Sequence, residues 1–410
     1  MSKNTKAPWD LIIIGAGAAG MMAGIIAGRS KKKVLILEQL DKPGKKLLAT
    51  GNGKCNFTNS YMTRECFRGD MELVDSVLAS FTKEDCLEFF HSIGIYPRER
   101  NGYYYPNSEQ ASSIVTALTE ELKRLDVTIC CQTKVNGIQK KHKTFELSTN
   151  NGTYYGATLL IATGLLAAPK LGGDGSLFGE IKALGHHFSP IVPALCGFYC
   201  TGMPFKKVSG VRATGTVTAY INKKEIAQDI GEIQFTDYGI SGIPVFQISR
   251  FLSLGLYEKA NVLVAIDLFP QLTEEELLKE LMLRFERKNH TKESLLNGLL
   301  NQKLVIGLLE MLSWNPCSSA KELSKEQLLE LTRLMKRINI TVNKPRDFEF
   351  AQICAGGIPA KEIDIKTLES QYVDGLYFAG ELLNVDGICG GYNLHFAWGS
   401  GLVAANNICS

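Results

Sequence analysis

The sequence of 410 residues predicts an α/β fold in which a βαβ-based domain, built from both ends of the chain, is interrupted by an inserted region that is barrel-like first and helical second. Three observations carry this. The apolar run Leu11–Ile14 passes directly into Gly15-Ala16-Gly17-Ala18-Ala19-Gly20. Two more buried runs, 158–161 and 376–379, also end on glycine, at Ala162-Thr163-Gly164 and Gly380-Glu381. Composition shifts after Pro190 and shifts back past Pro345. The expected domains are therefore 1–190 with 346–410, and an insert of 191–345 that takes the substrate or caps the site. Within the insert, 191–272 is β-rich and helices dominate 273–338.

The elements follow in order. Leu11–Ile14 is β-branched and apolar throughout, as suits a parallel strand covered on both faces. Met21 to Arg29 reads as a helix of small residues, and Val34–Leu37 is a second buried strand ending at Glu38. Residues 42–60 are loop, dense in Gly, Asn, Lys and Thr. Helical spacing covers Glu72 to Ile93 and Ala111 to Leu125, with an aromatic hairpin at Asn101–Pro106 between them. From Val127 to Ile161 a strand meander is expected, with turns near Asn136-Gly137, Lys140–Lys143 and Asn150–Gly152. Capping boxes at Thr273–Glu276 and Ser324–Gln327 open helices running to about Lys288 and Ile338.

Composition excludes several classes. Apolar residues at 45% and charged ones at 21% rule out disordered, collagenous and coiled-coil chains. Lys+Arg 45 against Asp+Glu 42 leaves a net charge of +3, too near balance to point to nucleic acid or a membrane surface. Eleven cysteines without an even, short framework read as reduced thiols, and the polar start lacks an apolar leader, so a cytoplasmic protein is expected. Leu11–Ile14 is far too short to span a bilayer.

Gly15-x-Gly17-x-x-Gly20 has the context that a dinucleotide fingerprint needs: a strand before, a helix after and an acid, Glu38, at the next strand end. Gly15 permits the turn, Gly17 lets backbone approach a pyrophosphate, and Gly20 allows helix-on-strand packing. The helix N-terminus favours the phosphate charge, and Glu38 suits ribose hydroxyls. No second fingerprint follows, and Gly172-Gly173-Asp174-Gly175 has the wrong spacing. One fingerprint with a glycine-rich C-terminal return fits FAD, with Gly390-Gly391-Tyr392-Asn393-Leu394 opening a helix toward the flavin ring. The loop Thr50-Gly51-Asn52-Gly53-Lys54-Cys55-Asn56 can approach a planar ligand closely, and Lys45, Lys46 and Lys54 can meet phosphate charge.

On these residues, with Thr58-Asn59, Phe235-Thr236, Gly239–Gly242, Asp386-Gly387 and Ala397-Trp398, the chain resembles the aminoacetone-oxidase-type NAD(P)/FAD-dependent oxidoreductases. That family includes a flavoprotein reductase of unsaturated 3-oxo bile acids. The resemblance covers nearly the whole chain and implies non-covalent FAD in a Rossmann-like domain, with the insert over the active site. It implies cofactor contacts from Ala18, Glu38, Gln39, Lys45, Gly51, Asn52, Cys55, Asn56 and Val135, then Thr163, Gly380, Glu381, Asp386, Tyr392, Asn393 and Leu394. Ala19, Thr50, Gly53, Ala162, Gly164 and Gly391 complete those segments. Two departures fall near the flavin: Leu165-Leu166 replaces a Gly and a Ser or Thr, and His395 replaces a common Gln.

Candidate proton donors are His395 and Tyr104, and Cys55 is a candidate redox-linked thiol. No metal is expected, since His186-His187 lacks partners at zinc spacing. The expected activity is NAD(P)H-dependent reduction of an activated C=C bond in a small apolar enone, such as a 3-oxo steroid or bile acid. The alternatives are oxidation of a small amine by O₂ and a non-catalytic flavin-binding regulatory or RNA-associated protein. Neither nucleic acid nor membrane is expected as a partner; the oligomeric state does not follow from the sequence.

Overall fold

The computed structural model describes residues 8–286 and 290–410, and the chain divides into two compact units, Met1–Ile191 with Ile353–Ser410, and Val192–Gln352. The polar start through Ala7 and the expected helix end at Lys288 lie outside the described residues.

The first unit is built on a seven-stranded sheet among the described residues. Its parallel core runs Thr128–Cys130, β2 (Val34–Leu37), β1 (Trp9–Ile14), Gly152–Ile161 and Leu376–Phe378. Antiparallel strands Thr144–Thr149 and Val135–Lys141 extend it. Leu11, Ile12 and Ile13 are completely buried, which is why this strand is apolar without alternation. The helix α1 (Ala18–Arg29) begins three residues before the sequence reading, because the small side chains of Ala18, Ala19 and Gly20 are already helical.

Registers align the carboxyl ends. Gly15 N–H donates to Leu37 C=O at 2.8 Å, Ala162 N–H to Ile14 C=O at 2.9 Å, and Ala379 N–H to Ile161 C=O at 3.2 Å. Glu38, Gly15, Ala162 and Gly380 thus gather at one edge of the sheet, the edge where open α/β folds take ligands.

Three local expectations are corrected. The stretch Glu72 to Ile93 is two helices, Met71–Ser80 and Lys83–Ser92, since Thr82 caps the second through a reciprocal box with Asp85 and so ends the first. Asn136-Gly137 is not a turn but lies inside Val135–Lys141, where the register shifts; a bulge absorbs the turn-like pair. Thr128–Cys130 joins the parallel core rather than the meander.

In the second unit, the described residues form a closed barrel in the order Phe198–Thr201, Gly239–Ser241, Lys224–Phe235, Arg212–Ile221, Val262–Asp267 and Ile338–Pro345. The last strand begins where the helix from Ser324 was expected to end, because that helix stops at Lys336. The helices therefore sit between two neighbouring barrel strands. The box at Thr273 forms as expected, opening Glu274–Phe285. No helix among the described residues is long and apolar enough to cross a membrane.

Candidate flavin site

The glycine fingerprint is enforced by close approach. A Cβ on Gly20 would lie 1.9 Å from Gly15 O, and one on Gly15 would lie 2.6 Å from Ala162 O. Gly17 differs: no atom lies within 4 Å of where its Cβ would stand. The start of α1 has no side-chain cap and no acid in its first turn. Its free N–H groups therefore face open space, an arrangement suited to a diphosphate.

Glu38 closes one side. Its Oε2 accepts the Ala16 N–H and its Oε1 the Leu40 N–H, both at 2.8 Å. Burial pushes its carboxyl above the usual range, against the pull of those N–H groups. Gln39 Nε2 donates to Gly172 C=O at 2.8 Å. Val135 is buried at the start of its strand.

The loop that follows α2 (Lys45–Ala49) turns through left-handed backbone at Gly51 and Asn52, which leaves Gly51, Asn52 and Gly53 exposed. Thr50 Oγ1 donates to Leu47 C=O at 2.6 Å. Asn56 Oδ1 is buried and has no hydrogen-bond partner among the described residues. A Cβ on Gly391 would come within 2.8 Å of that oxygen, so the loop meets the start of the C-terminal helix Tyr392–Cys409. This helix also lacks a side-chain cap and a first-turn acid. An orphaned amide oxygen and two uncapped helix starts in one unit are a fit for FAD, whose diphosphate and ring offer both charge and donors.

Side chains around that start are committed to structure. Asn393 donates to Gly387 C=O and accepts the Gly387 N–H, each at 2.8 Å, so its backbone rather than its side chain is available. Tyr392 is buried edge-on to Phe67, and Leu394 is half-buried beside it. Asp386 is also buried. Gly380 N–H donates to Ser400 Oγ at 2.9 Å, tying the strand end to the helix. Ala19 backs the same contact, since a Cβ on Gly401 would lie 2.4 Å from Ala19 O.

The lysines are sorted by the structure. Lys45 pairs with Asp41 on the surface, and Lys54 with Glu109. Lys46 reaches Glu381, with Nζ 2.6 Å from Oε2, while Glu381 Oε1 accepts the Cys354 N–H at 2.8 Å. A Cβ on Gly164 would lie 3.4 Å from Glu381 Oε2, so the pair stands beside Ala162-Thr163-Gly164. Sequence reasoning offered Lys45, Lys46 and Lys54 alike to phosphate charge, and the resemblance singled out Lys45; the pairing of Lys46 with Glu381 was not foreseen. Neighbours on a helix point about 100° apart, and nothing local distinguishes them.

Two candidate catalytic residues are buried. His395 is completely buried; its Nδ1 lies 2.9 Å from Thr58 Oγ1 and its Nε2 3.1 Å from Phe81 O. Burial drives its pKa down to about 4, so the ring is held neutral with both nitrogens engaged. Burial pushes the Cys55 thiol up to about 11, which keeps it protonated and inert. Tyr104 is half-buried, paired with Thr58 across an antiparallel strand contact.

A Rossmann sheet edge with two uncapped helix starts suits a dinucleotide, and with the likenesses that follow, the chain is an FAD-dependent oxidoreductase. It belongs to the family described as HI0933-like protein Rossmann domain, which it matches over residues 9–407. It is 41% identical over 396 residues to a 3-dehydro-bile acid delta(4,6)-reductase of Clostridium scindens, covering 96% of this chain and 97% of that one. It is 30% identical over 403 residues to a ribosomal RNA dihydrouridine synthase of Escherichia coli, covering 98% of each. The solved 3-ketosteroid-delta4-(5alpha)-dehydrogenase of Rhodococcus jostii shares the fold, with a TM-score of 0.50 at 14% identity over 100% of this chain and 99% of that one.

Proposed function

We propose that the chain reduces a C=C bond conjugated to a carbonyl, drawing on NADH or NADPH, and that its substrate is an apolar enone such as a 3-oxo steroid or bile acid. The observation that carries this is the 41% identity to the bile acid reductase along nearly all of both chains. Leu165, buried, and Leu166, half-buried, supply apolar surface next to Gly164.

In this reading FAD, when bound, supplies hydride transfer through flavin N5. The chain's residues hold and orient it. Gly15, Gly17, Ala18, Ala19 and Gly20 would receive the diphosphate on their backbone. Glu38 would accept from the ribose, since each of its oxygens keeps a second acceptor position. The loop Thr50–Asn56, Thr163, and the first turn with Gly391, Asn393 and Leu394 would frame the ring. Lys46, steadied by Glu381, would polarise the substrate carbonyl oxygen. The insert 191–345 takes the substrate-recognition role.

A uridine ring in RNA is a second reading, supported by the 30% identity to the dihydrouridine synthase. Both relatives' names describe hydrogen added across a C=C bond next to a carbonyl. Anaerobic protein should bleach with NADH or NADPH and recolour with a 3-oxo-4-ene steroid. Peroxide release from small amines, with no bleaching by either nicotinamide, would overturn the reductase reading.

A further inference from the structure

The barrel unit carries a row of cations and rings in contact. Lys344 Nζ stands 4.5 Å above the Tyr199 ring, to which it is brought by strand pairing of Tyr199 with Lys344. Tyr199 and Tyr238 have centroids 5.1 Å apart. The Arg346 guanidinium lies 4.5 Å from the Tyr238 ring and 3.7 Å from the Phe350 ring. Phe350 is 54% exposed, an apolar ring that the barrel core does not use. Arg346 Nε is buried without a hydrogen-bond partner among the described residues. Beside the row, a cleft of about 430 Å³ is lined by residues 200–207 and Asp237 and brings Lys206 and Lys207 to its rim. Asp237, Asp347 and Glu349 are exposed nearby, and Lys207 is paired with Glu310, so the charge on offer to a phosphate is that of Lys344 and Lys206.

We propose that this row is a docking surface for single-stranded RNA, with an unpaired base stacking on the exposed ring of Phe350 and phosphates meeting Lys344 and Lys206. The proposal rests on the RNA reading above. An exposed ring flanked by cations is a recurring means of binding unpaired strands without reading their sequence. An acidic peptide would use the cations and leave the rings idle. Arg346 stiffens the platform by its three ring contacts, which spares the rings the ordering cost of binding.

The test uses the full chain with its flavin and two probes of about 16 units: a uridine oligonucleotide and the same ribose-phosphate strand without bases. Fluorescence anisotropy is read between about 50 and 200 mM salt. The uridine strand should bind about 10-fold tighter than the abasic one, and Phe350→Ala should erase that difference. Lys344→Ala should weaken both strands equally and lower the salt slope by about 0.7. Unchanged flavin absorbance and unfolding midpoint certify that both variants are folded. Equal binding of the two strands, binding indifferent to Phe350→Ala, or preference for polyglutamate over RNA overturns the proposal. Hydrogen addition to uridine, followed by mass, is scored separately, so a barrel that binds no RNA overturns the docking surface while leaving the chemistry to its own assay.

Discussion

Lys46 Nζ sits 2.6 Å from Glu381 Oε2, and the remaining Glu381 oxygen is held by the Cys354 N–H. One half-buried ammonium is thereby fixed beside the glycine that ends the 152–161 strand. If it faces the reacting end of the site, Lys46→Met should weaken formation of a sulfite–flavin adduct by about 10-fold, or about 1.4 kcal/mol. Lys46→Arg should restore most of it, because charge and not shape is at stake. Spectral titration with sulfite reads this without turnover.

The glycines of the fingerprint should separate folding from cofactor binding. Gly20→Ala drives a methyl into Gly15 O at 1.9 Å and should abolish soluble protein. Gly17→Val enters open space, so the chain should fold while the flavin-to-protein absorbance ratio collapses. A coloured Gly17→Val protein would remove α1 from the diphosphate site.

His395 should act on stability, not on proton supply. Its pKa falls from 6.5 unfolded to about 4 folded, so the unfolded chain binds more protons between those values. Stability is then complete above pH 6.5 and is lost as pH falls toward 4, by about 3 kcal/mol in all. His395→Gln should flatten that slope in denaturant melts, while turnover per bound flavin keeps its pH profile. A shifted profile would return His395 to the reaction.

Thiol chemistry should begin far from the site. Cys317 is exposed, whereas Cys55 is buried and held protonated. Alkylation followed by mass mapping should modify Cys317 first, and Cys55→Ser should leave flavin bleaching unchanged.

The local parts of the site were legible because neighbours in sequence do the work. Gly15 to Gly20 and Glu38 belong to one βαβ unit, whose turn, strand and helix declare themselves by residue type. Lys46 and Glu381 were not paired in advance, because 335 positions separate them and only the sheet brings them together. His395 looked reactive as a lone histidine near a glycine turn; its two partners, Thr58 and Phe81, come from remote segments. The last barrel strand was hidden for a similar reason. Ile338–Pro345 alternates as a half-buried strand should, but it follows a helical stretch and has no sequence neighbour to pair with.

The sheet edge is assembled from residues 14–15, 37–38, 161–162 and 378–380, and the C-terminal helix closes against α1. During synthesis the first βαβ unit is therefore made long before its last supporting strand exists. The nascent chain must carry an unfinished sheet edge past the ribosome exit, shielded by whatever collapse or chaperone is at hand. Loss of only the terminal helix would leave α1 without its partner, so a late stop codon should be as damaging to the flavin cradle as one in the fingerprint itself.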